Sequence, residues 1–344
     1  MESPSMSKGK GKQALLFSIL VGISLQILSC ASYKTETQTI EAHEEILLFY
    51  PQKYKGVPVG CYADIISYRK IAEELGYSHN TVDHEFINTR ESFFNNDGKR
   101  KFRVLLFPGG EPYRWFEQAA GEGINCQGVK NILDFIESGG SAIAICICAP
   151  SLFSTWMEFL NPNLEQAQRG EWDKTVRTPG CFKRFCGVYA FKGVLRGPQE
   201  SNRPYPKAVF LPIKMNPDNE IVREANLPPV IHQIVVGGGS ILPDDGQPLD
   251  VVGWFPNGTV AIGIVPYGQG RIIMSNPHPN ITGQLGEKWR RVVMSTHARR
   301  WGWTEEMIRE GQKLIQETPD PDGPEPDWAL AKAMLSYAYT KARQ

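Results

Sequence analysis

One stretch constrains this chain more than any other: Gly139-Gly140-Ser141-Ala142-Ile143-Ala144-Ile145-Cys146-Ile147-Cys148-Ala149-Pro150. The apolar run Ser141 to Ile145 reads as a short buried strand, and Ala149 onward reads as a helix start with Pro150 at a tolerated first-turn position. Cys146 then falls in the strand-to-helix turn, the geometry of a nucleophile elbow. Such a turn crowds the residues two before and two after the nucleophile, where Ala144 is small and Cys148 fairly small. A helix N-terminus there favours a thiolate and leaves the Ile147 N–H to stabilise an oxyanion. The alternative is that Cys146 and Cys148 alternate through an ordinary core strand, cysteine being among the most buried residue types.

A second stretch supplies a base. Gly268 to Asn280 runs Gly-Gln-Gly-Arg-Ile-Ile-Met-Ser-Asn-Pro-His-Pro-Asn, so His278 lies just beyond another short apolar strand. Open α/β sheets gather their chemistry at the C-terminal ends of strands. Alternating strands and helices lead up to it: strand 45–50, an amphipathic helix 61–75 closed by Gly76, strand 102–107, helix 128–137, then the elbow strand. That alternation predicts a parallel sheet with right-handed crossovers, and it sets the ends of Phe107 and Ile145 side by side.

Taken in order, these pieces resemble the biotin-protein ligase N-terminal domain family, a branch of the class I glutamine amidotransferase-like superfamily. The Phe107-Pro108-Gly109-Gly110 turn, the elbow, Gly237-Gly238-Gly239 and the segment from Tyr267 to Asn280 carry the likeness. It implies a flavodoxin-like α/β fold over residues 46–280, a Cys146 nucleophile and a His278 base. Two departures accompany it. The family's His-Pro-Glu reads His278-Pro279-Asn280, so an amide replaces the third triad member; Asn280 can still orient an imidazole. The elbow's second small residue is Cys148, whose bulk narrows the pocket. Gly109 and Gly110 are placed to offer a second oxyanion N–H, and Glu111 to bind a substrate amine or replace the missing carboxylate, unless it is a solvated loop charge.

The chain has 344 residues, 41% of them hydrophobic, enough for one large α/β domain with extensions. Its 37 basic and 37 acidic residues cancel, which gives no basic face for nucleic acid. Residues 1–29 read as a leader: Lys8, Lys10 and Lys12 precede an apolar run from Ala14 to Leu28 that is shorter than the roughly 20 residues needed to span a bilayer. Ser29 and Cys30 follow, and Ile27-Leu28-Ser29-Cys30 resembles a bacterial lipoprotein cleavage box. The expectation is a lipid-bearing Cys30, a polar tether over 30–45, and an envelope protein facing the periplasm; because Leu28 is bulky for that box, an uncleaved anchor or a plain signal peptide is the alternative.

Of the other cysteines, Cys181 and Cys186 suggest a local disulfide or two free thiols, and nothing in the cysteine and histidine spacing marks a metal centre. No cofactor motif is present, so neither metal nor cofactor is expected. Residues 161–185 read as a loop over the crevice. From 187 to 265 the pattern turns β-rich, with an Asn257-Gly258 hairpin. Residues 281–344 read as a helical extension, Thr304 capping a helix over 303–316 and a Pro/Asp run preceding a last helix over 328–342. Two functions fit: a small-molecule or peptide binding module with a degenerate site, or a cysteine-dependent amide hydrolase or amidotransferase-like enzyme using Cys146, His278 and Asn280. The tail is too short for a biotin ligase catalytic domain.

Overall fold

In the computed structural model, residues 45–50, 61–110, 115–116, 123–160, 175–197, 208–236, 238–300 and 303–342 are described. The leader, Cys30, the tether, Glu111, Gly237 and the stretch 161–174 lie outside these residues. No helix among the described residues is long and apolar enough to cross a membrane.

The sheet begins with five parallel strands. β1 (Ile46–Phe49) lies between β2 (His79–Val82) and β3 (Val104–Phe107); β4 (Ser141–Ile145) follows β3, and the late strand β13 (Gly270–Ser275) follows β4. This order, 2-1-3-4 and then the last strand, is flavodoxin-like. Every residue of β1, β3 and β4 is buried, as expected of strands covered on both faces.

Helix α1 (Tyr62–Leu75) covers one face. Ile65, Tyr68, Ile71 and Ala72 lie on its inner stripe and meet Ile46, Leu48, Leu106 and Ile143 in a common core. It stops at Gly76, whose φ of 72° only glycine adopts cheaply, with Tyr77 N–H donating to Ala72 O. Helix α2 (Cys126–Glu137) is capped by the Asn125 side chain, which accepts from Gly128 N–H. Phe135 of α2 stacks on Phe102 with ring centroids 4.4 Å apart.

The β-rich region is an insertion between β4 and β13. Strands β5 (Ser154–Leu160), β6 (Thr175–Pro179), β7 (Phe191–Arg196) and β10 (Ser240–Pro243) extend the sheet to one side of β12 (Val260–Tyr267), while β8 (Val209–Met215), β9 (Val230–Val235) and β11 (Asp250–Trp254) branch from it. The Asn257-Gly258 turn joins β11 to β12 as the sequence predicts, with Gly258 at φ 81°.

Four local expectations change. The helix after the elbow, α3 (Pro150–Phe153), is a single turn that gives way at once to β5, because Phe153 is buried and the chain turns outward to pair with β7. The presumed loop before residue 187 holds β6 and helix α4 (Cys181–Cys186). Cys186 pairs with Cys126 across 60 residues rather than with Cys181, which stays buried and free: α4 packs its end on the start of α2, with Cα atoms 5.4 Å apart. The last helix starts early, at Pro324.

The C-terminal helices pack on the domain itself. α5 (Gly283–Val292) and α6 (Glu305–Glu317) form a cluster with Ile234, Met294 and Trp303, and Thr304 caps α6 by accepting from Met307 N–H at 3.2 Å. α7 (Pro324–Lys341) places Leu330, Met334 and Leu335 in the core shared with α1. Its proline occupies the first turn, which is why the Pro/Asp run is partly helical.

Candidate functional site

Strand register fixes the site. Phe107 pairs with Ala144 and Ser275 pairs with Ile145, so β3, β4 and β13 end level with one another. The Pro108-Gly109 turn, Cys146 and the Asn276–Asn280 segment therefore emerge together at the C-terminal edge of the sheet. Cys146 has φ 65°, one of two non-glycine residues at positive φ among the described residues. A left-handed conformation costs a side-chain-bearing residue about 1 kcal/mol or more and persists where neighbours hold it. It is the backbone that an elbow requires.

His278 is buried beside it. Its main chain is pinned by donation from His278 N–H to Ile234 O at 2.9 Å, and its ring lies 4.7 Å from the Trp289 ring of α5. The imidazole is oriented by Asp64, from the first turn of α1: Asp64 Oδ1 and His278 Nδ1 are 3.1 Å apart, and both side chains are almost fully buried. Asn280 makes no hydrogen bond to the ring. Its Nδ2 donates to Asp64 Oδ1 at 2.9 Å, while Gly109 N–H donates to Asp64 Oδ2 at 2.8 Å. Asp64 thus supplies the carboxylate at the ring, and Asn280 steadies Asp64.

Gly109 has a second duty. A Cβ there would lie 2.9 Å from both Cys146 Cβ and His278 Cε1 and 3.3 Å from Asp64 Oδ2, so only glycine lets the three groups close upon the turn. Because its N–H is spent on Asp64, it is not an oxyanion donor. Gly110 adjoins it at φ 144°. Glu111, expected in the same crevice, lies outside the described residues.

The electrostatics follow from burial and partners. Burial alone would raise the Asp64 carboxyl, but His278, Asn280 and the Gly109 N–H hold it below the usual carboxylate range. Burial alone would lower His278; the Asp64 and Cys146 charges beside it outweigh that and raise it to about 10. The Cys146 thiol is held well below an ordinary thiol, first by donation from the Cys148 thiol, against the opposing effect of burial, and then by His278. These shifts favour a thiolate and imidazolium pair backed by a carboxylate. His278 Nε2 has no hydrogen-bond partner of ordinary geometry among the described residues and is the ring nitrogen left for the thiol.

Cys61, which caps α1, lies next to this group, and burial followed by the Asp64 charge pushes its thiol up. Cys61, Asp64 and His278 offer ligating atoms within 4.8 Å of one another. Three hydrogen bonds already occupy the Asp64 carboxylate, and burial raises the Cys61 thiol beside it.

Sequence reasoning placed Cys146, His278, Gly109, Asn280 and Ile147 at one edge, and they lie there. It missed Asp64 and the role of Cys148. The signal for Asp64 was present: a carboxylate on the same helix stripe as Ile65, Tyr68 and Ile71, where an unpaired charge is rarely tolerated.

No family model matches the chain, and no curated protein matches it. Among solved structures it is similar to a glutamine amidotransferase from Thermotoga maritima, with TM-score 0.45 and 11% identity over 86% of this chain and 98% of that one. It is also similar to a cytoplasmic protein from Salmonella typhimurium LT2 (TM-score 0.42, 11% identity, 80% and 100% covered) and to a ThuA-like protein from Bacteroides uniformis (0.38, 11%, 85% and 98%). These likenesses are distant, and the class of the fold rests on strand order and the elbow. The chain has a flavodoxin-like α/β fold with a β-rich insertion and C-terminal helices.

Proposed function

We propose that this chain is a cysteine-dependent acyl-transfer enzyme acting on an amide, with water as the final acceptor. The observation that carries the proposal is the buried Asp64–His278 pair set against a thiol in a left-handed elbow. The Cys146 thiolate attacks the carbonyl carbon, and the Ile147 N–H steadies the oxyanion. Collapse of the tetrahedral intermediate breaks the C–N bond, and the imidazolium of His278 gives its Nε2 proton to the departing amine. Neutral His278 then takes a proton from water, which attacks the thioester and frees the acid and the thiolate. Asp64 keeps the ring in register through both halves, and Asn280 with Gly109 N–H keeps Asp64 in place.

The narrower kinship, with the biotin-protein ligase N-terminal domain family, rests on the motifs around Pro108, Cys146 and His278. An envelope lipoprotein anchored through Cys30 is the setting we infer, and the Cys126–Cys186 disulfide suits an oxidising compartment. Cys30→Ser should release the protein from membranes; retention equal to the parent would refute the lipid anchor.

A binding module on the same scaffold is the second reading, favoured by the closed site: Cys146 is 7% exposed and His278 1%. Incubation of the full chain with simple primary amides and activated esters, followed by intact mass, separates the two. Enzymatic function requires an acyl adduct that maps to Cys146 and is absent from Cys146→Ala. No adduct with any of them, while the parent remains folded, favours the binding module.

A further inference from the structure

Zero net charge conceals a segment of one sign. Between Asp173 and Glu200 stand Lys174, Arg177, Lys183, Arg184, Lys192 and Arg196, with no aspartate or glutamate among them. Residues 175–197 form β6, α4 and β7, so this charge gathers at the end of the sheet where β6 is the edge strand. Glu158 of β5 answers two of the cations, Arg196 at 2.6 Å and Arg177 at 3.7 Å. Lys192 lies beside the turn after β10, where Asp244 N–H donates to its carbonyl. One carboxylate against two guanidinium groups leaves the face positive, and Lys183 of α4 adds to it.

Apolar side chains lie at the same end. Four of the eight large apolar residues left exposed among the described residues, Val176, Phe185, Val188 and Tyr189, fall within one stretch of fourteen, so they mark one region of the surface. No residue from Arg184 to Tyr189 is buried, and α4 with the turn into β7 projects from the domain. Rings and cations are laced together there. Lys183 Nζ stands 4.0 Å from the Trp156 ring centre and 5.8 Å from that of Tyr189, and Arg177 lies 4.8 Å over Trp156. The Cys126–Cys186 disulfide ties the turn to α2, which holds these side chains in place before any partner arrives.

The positive charge calls for an anionic partner, and exposed Phe185 and Val188 call for one with an apolar layer. A soluble acidic polymer meets the first demand and not the second. A bilayer interface meets both: anionic headgroups pair with Lys and Arg, Trp and Tyr rings settle at headgroup level, and the apolar side chains reach the acyl boundary. We propose that the α4 end of the domain, through Lys183, Arg184, Phe185, Val188 and Tyr189, docks on a bilayer containing anionic lipid. The docking is independent of acyl transfer at Cys146 and of a lipid on Cys30, since none of its contacts involves either residue.

Amide hydrogen exchange of the full chain tests it, with vesicles of phosphatidylcholine and phosphatidylglycerol, vesicles of phosphatidylcholine alone, and soluble poly-L-aspartate. Residues 184–189 should exchange several-fold more slowly on the mixed vesicles than on the neutral ones, and molar salt should remove the difference. Neutral vesicles also control for the apolar run before Cys30, which can hold the chain on any bilayer without seating this turn. Lys183→Gln with Arg184→Gln should weaken the effect by about tenfold or more in a lipid titration. Val188→Asp should abolish it and leave the unfolding midpoint at the parent's value, because Val188 is 41% exposed. Equal exchange of 184–189 on both kinds of vesicle would overturn the proposal. So would equal slowing by poly-L-aspartate, which would mark an acidic polymer as the partner, or parent-like behaviour of either variant.

Discussion

Asp64 Oδ1 lies 3.1 Å from His278 Nδ1, though 214 residues separate them. The contact joins the first turn of the first helix to the loop after the last strand of the sheet. It adds a carboxylate to the cysteine and histidine as a third group, taken from another element because Asn280, two residues after His278, is an amide.

Asp64→Asn should be costly twice. The amide keeps the size but removes the charge that raises His278, so Cys146 loses thiolate at neutral pH. Alkylation of Cys146 should slow by about tenfold for each pKa unit the thiol regains. Breaking one partner of a buried pair should also cost roughly 3 kcal/mol in urea unfolding. The pH dependence has a definite sign. The folded Asp64 carboxyl is depressed, so its contribution is present above the unfolded value near 4 and fades as pH falls through the lower folded one. His278 is raised, so its contribution is full below about 6.5 and is lost as pH rises through about 10.

Asn280→Glu, which would place a carboxylate two residues after His278, should not raise reactivity. Asn280 Nδ2 donates to Asp64 Oδ1, so a glutamate would set two carboxylates against each other in a buried site. Slower Cys146 alkylation and a lower unfolding midpoint are expected. A gain in either would show that the carboxylate following His278 can replace Asp64.

Gly109→Ala tests the close approach of the turn. Its methyl would meet Cys146 Cβ and His278 Cε1 at 2.9 Å, and both groups are held by their backbones. Overpacking of this kind should destabilise by about 1–3 kcal/mol and separate thiol from imidazole. Parent-like stability and labelling would contradict the packing.

Much of this site was legible because its parts were local. The elbow announced itself in one run of twelve residues, and His278 in another. Asp64 was hidden by a pattern that was right as far as it went: residues 61–75 do form an amphipathic helix, and the period finds the buried stripe without asking why a carboxylate lies on it. Helix α3 was overread because Pro150 marks a helix start but not its length. The pairing of Cys126 with Cys186 and the strands β5 to β7 depend on contacts across the insertion, which periodicity in single segments does not encode.

Asp327 offers a prediction far from the elbow. Burial, then the Asp320 and Asp322 charges, raises its carboxyl to about 9, and Gln233 Nε2 donates to its Oδ1. The unfolded chain releases this proton near pH 4 and the folded chain keeps it, so stability is fullest at low pH and falls as pH rises toward 9. Asp327→Asn keeps the acceptor and removes the charge. It should stabilise the protein by roughly 1–3 kcal/mol at pH 7 and flatten the pH dependence of the unfolding midpoint.

The disulfide joins α2 to α4 across 60 residues. Replacing Cys126 and Cys186 together by serine should cost about 4 kcal/mol on the loop-entropy scale, measured by urea unfolding. Unreduced protein should show neither cysteine among its alkylated peptides.

The most direct test of the central claim is the alkylation rate of Cys146 against pH, read by peptide mapping beside Cys61, Cys148 and Cys181 in the parent and in Asp64→Asn. The account predicts that Cys146 reacts fastest from mildly acidic pH upward, with no step near the ordinary thiol value of about 8.5, and that Asp64→Asn restores that step. A Cys146 that labels no faster than Cys181 and titrates the same way in both proteins would contradict it.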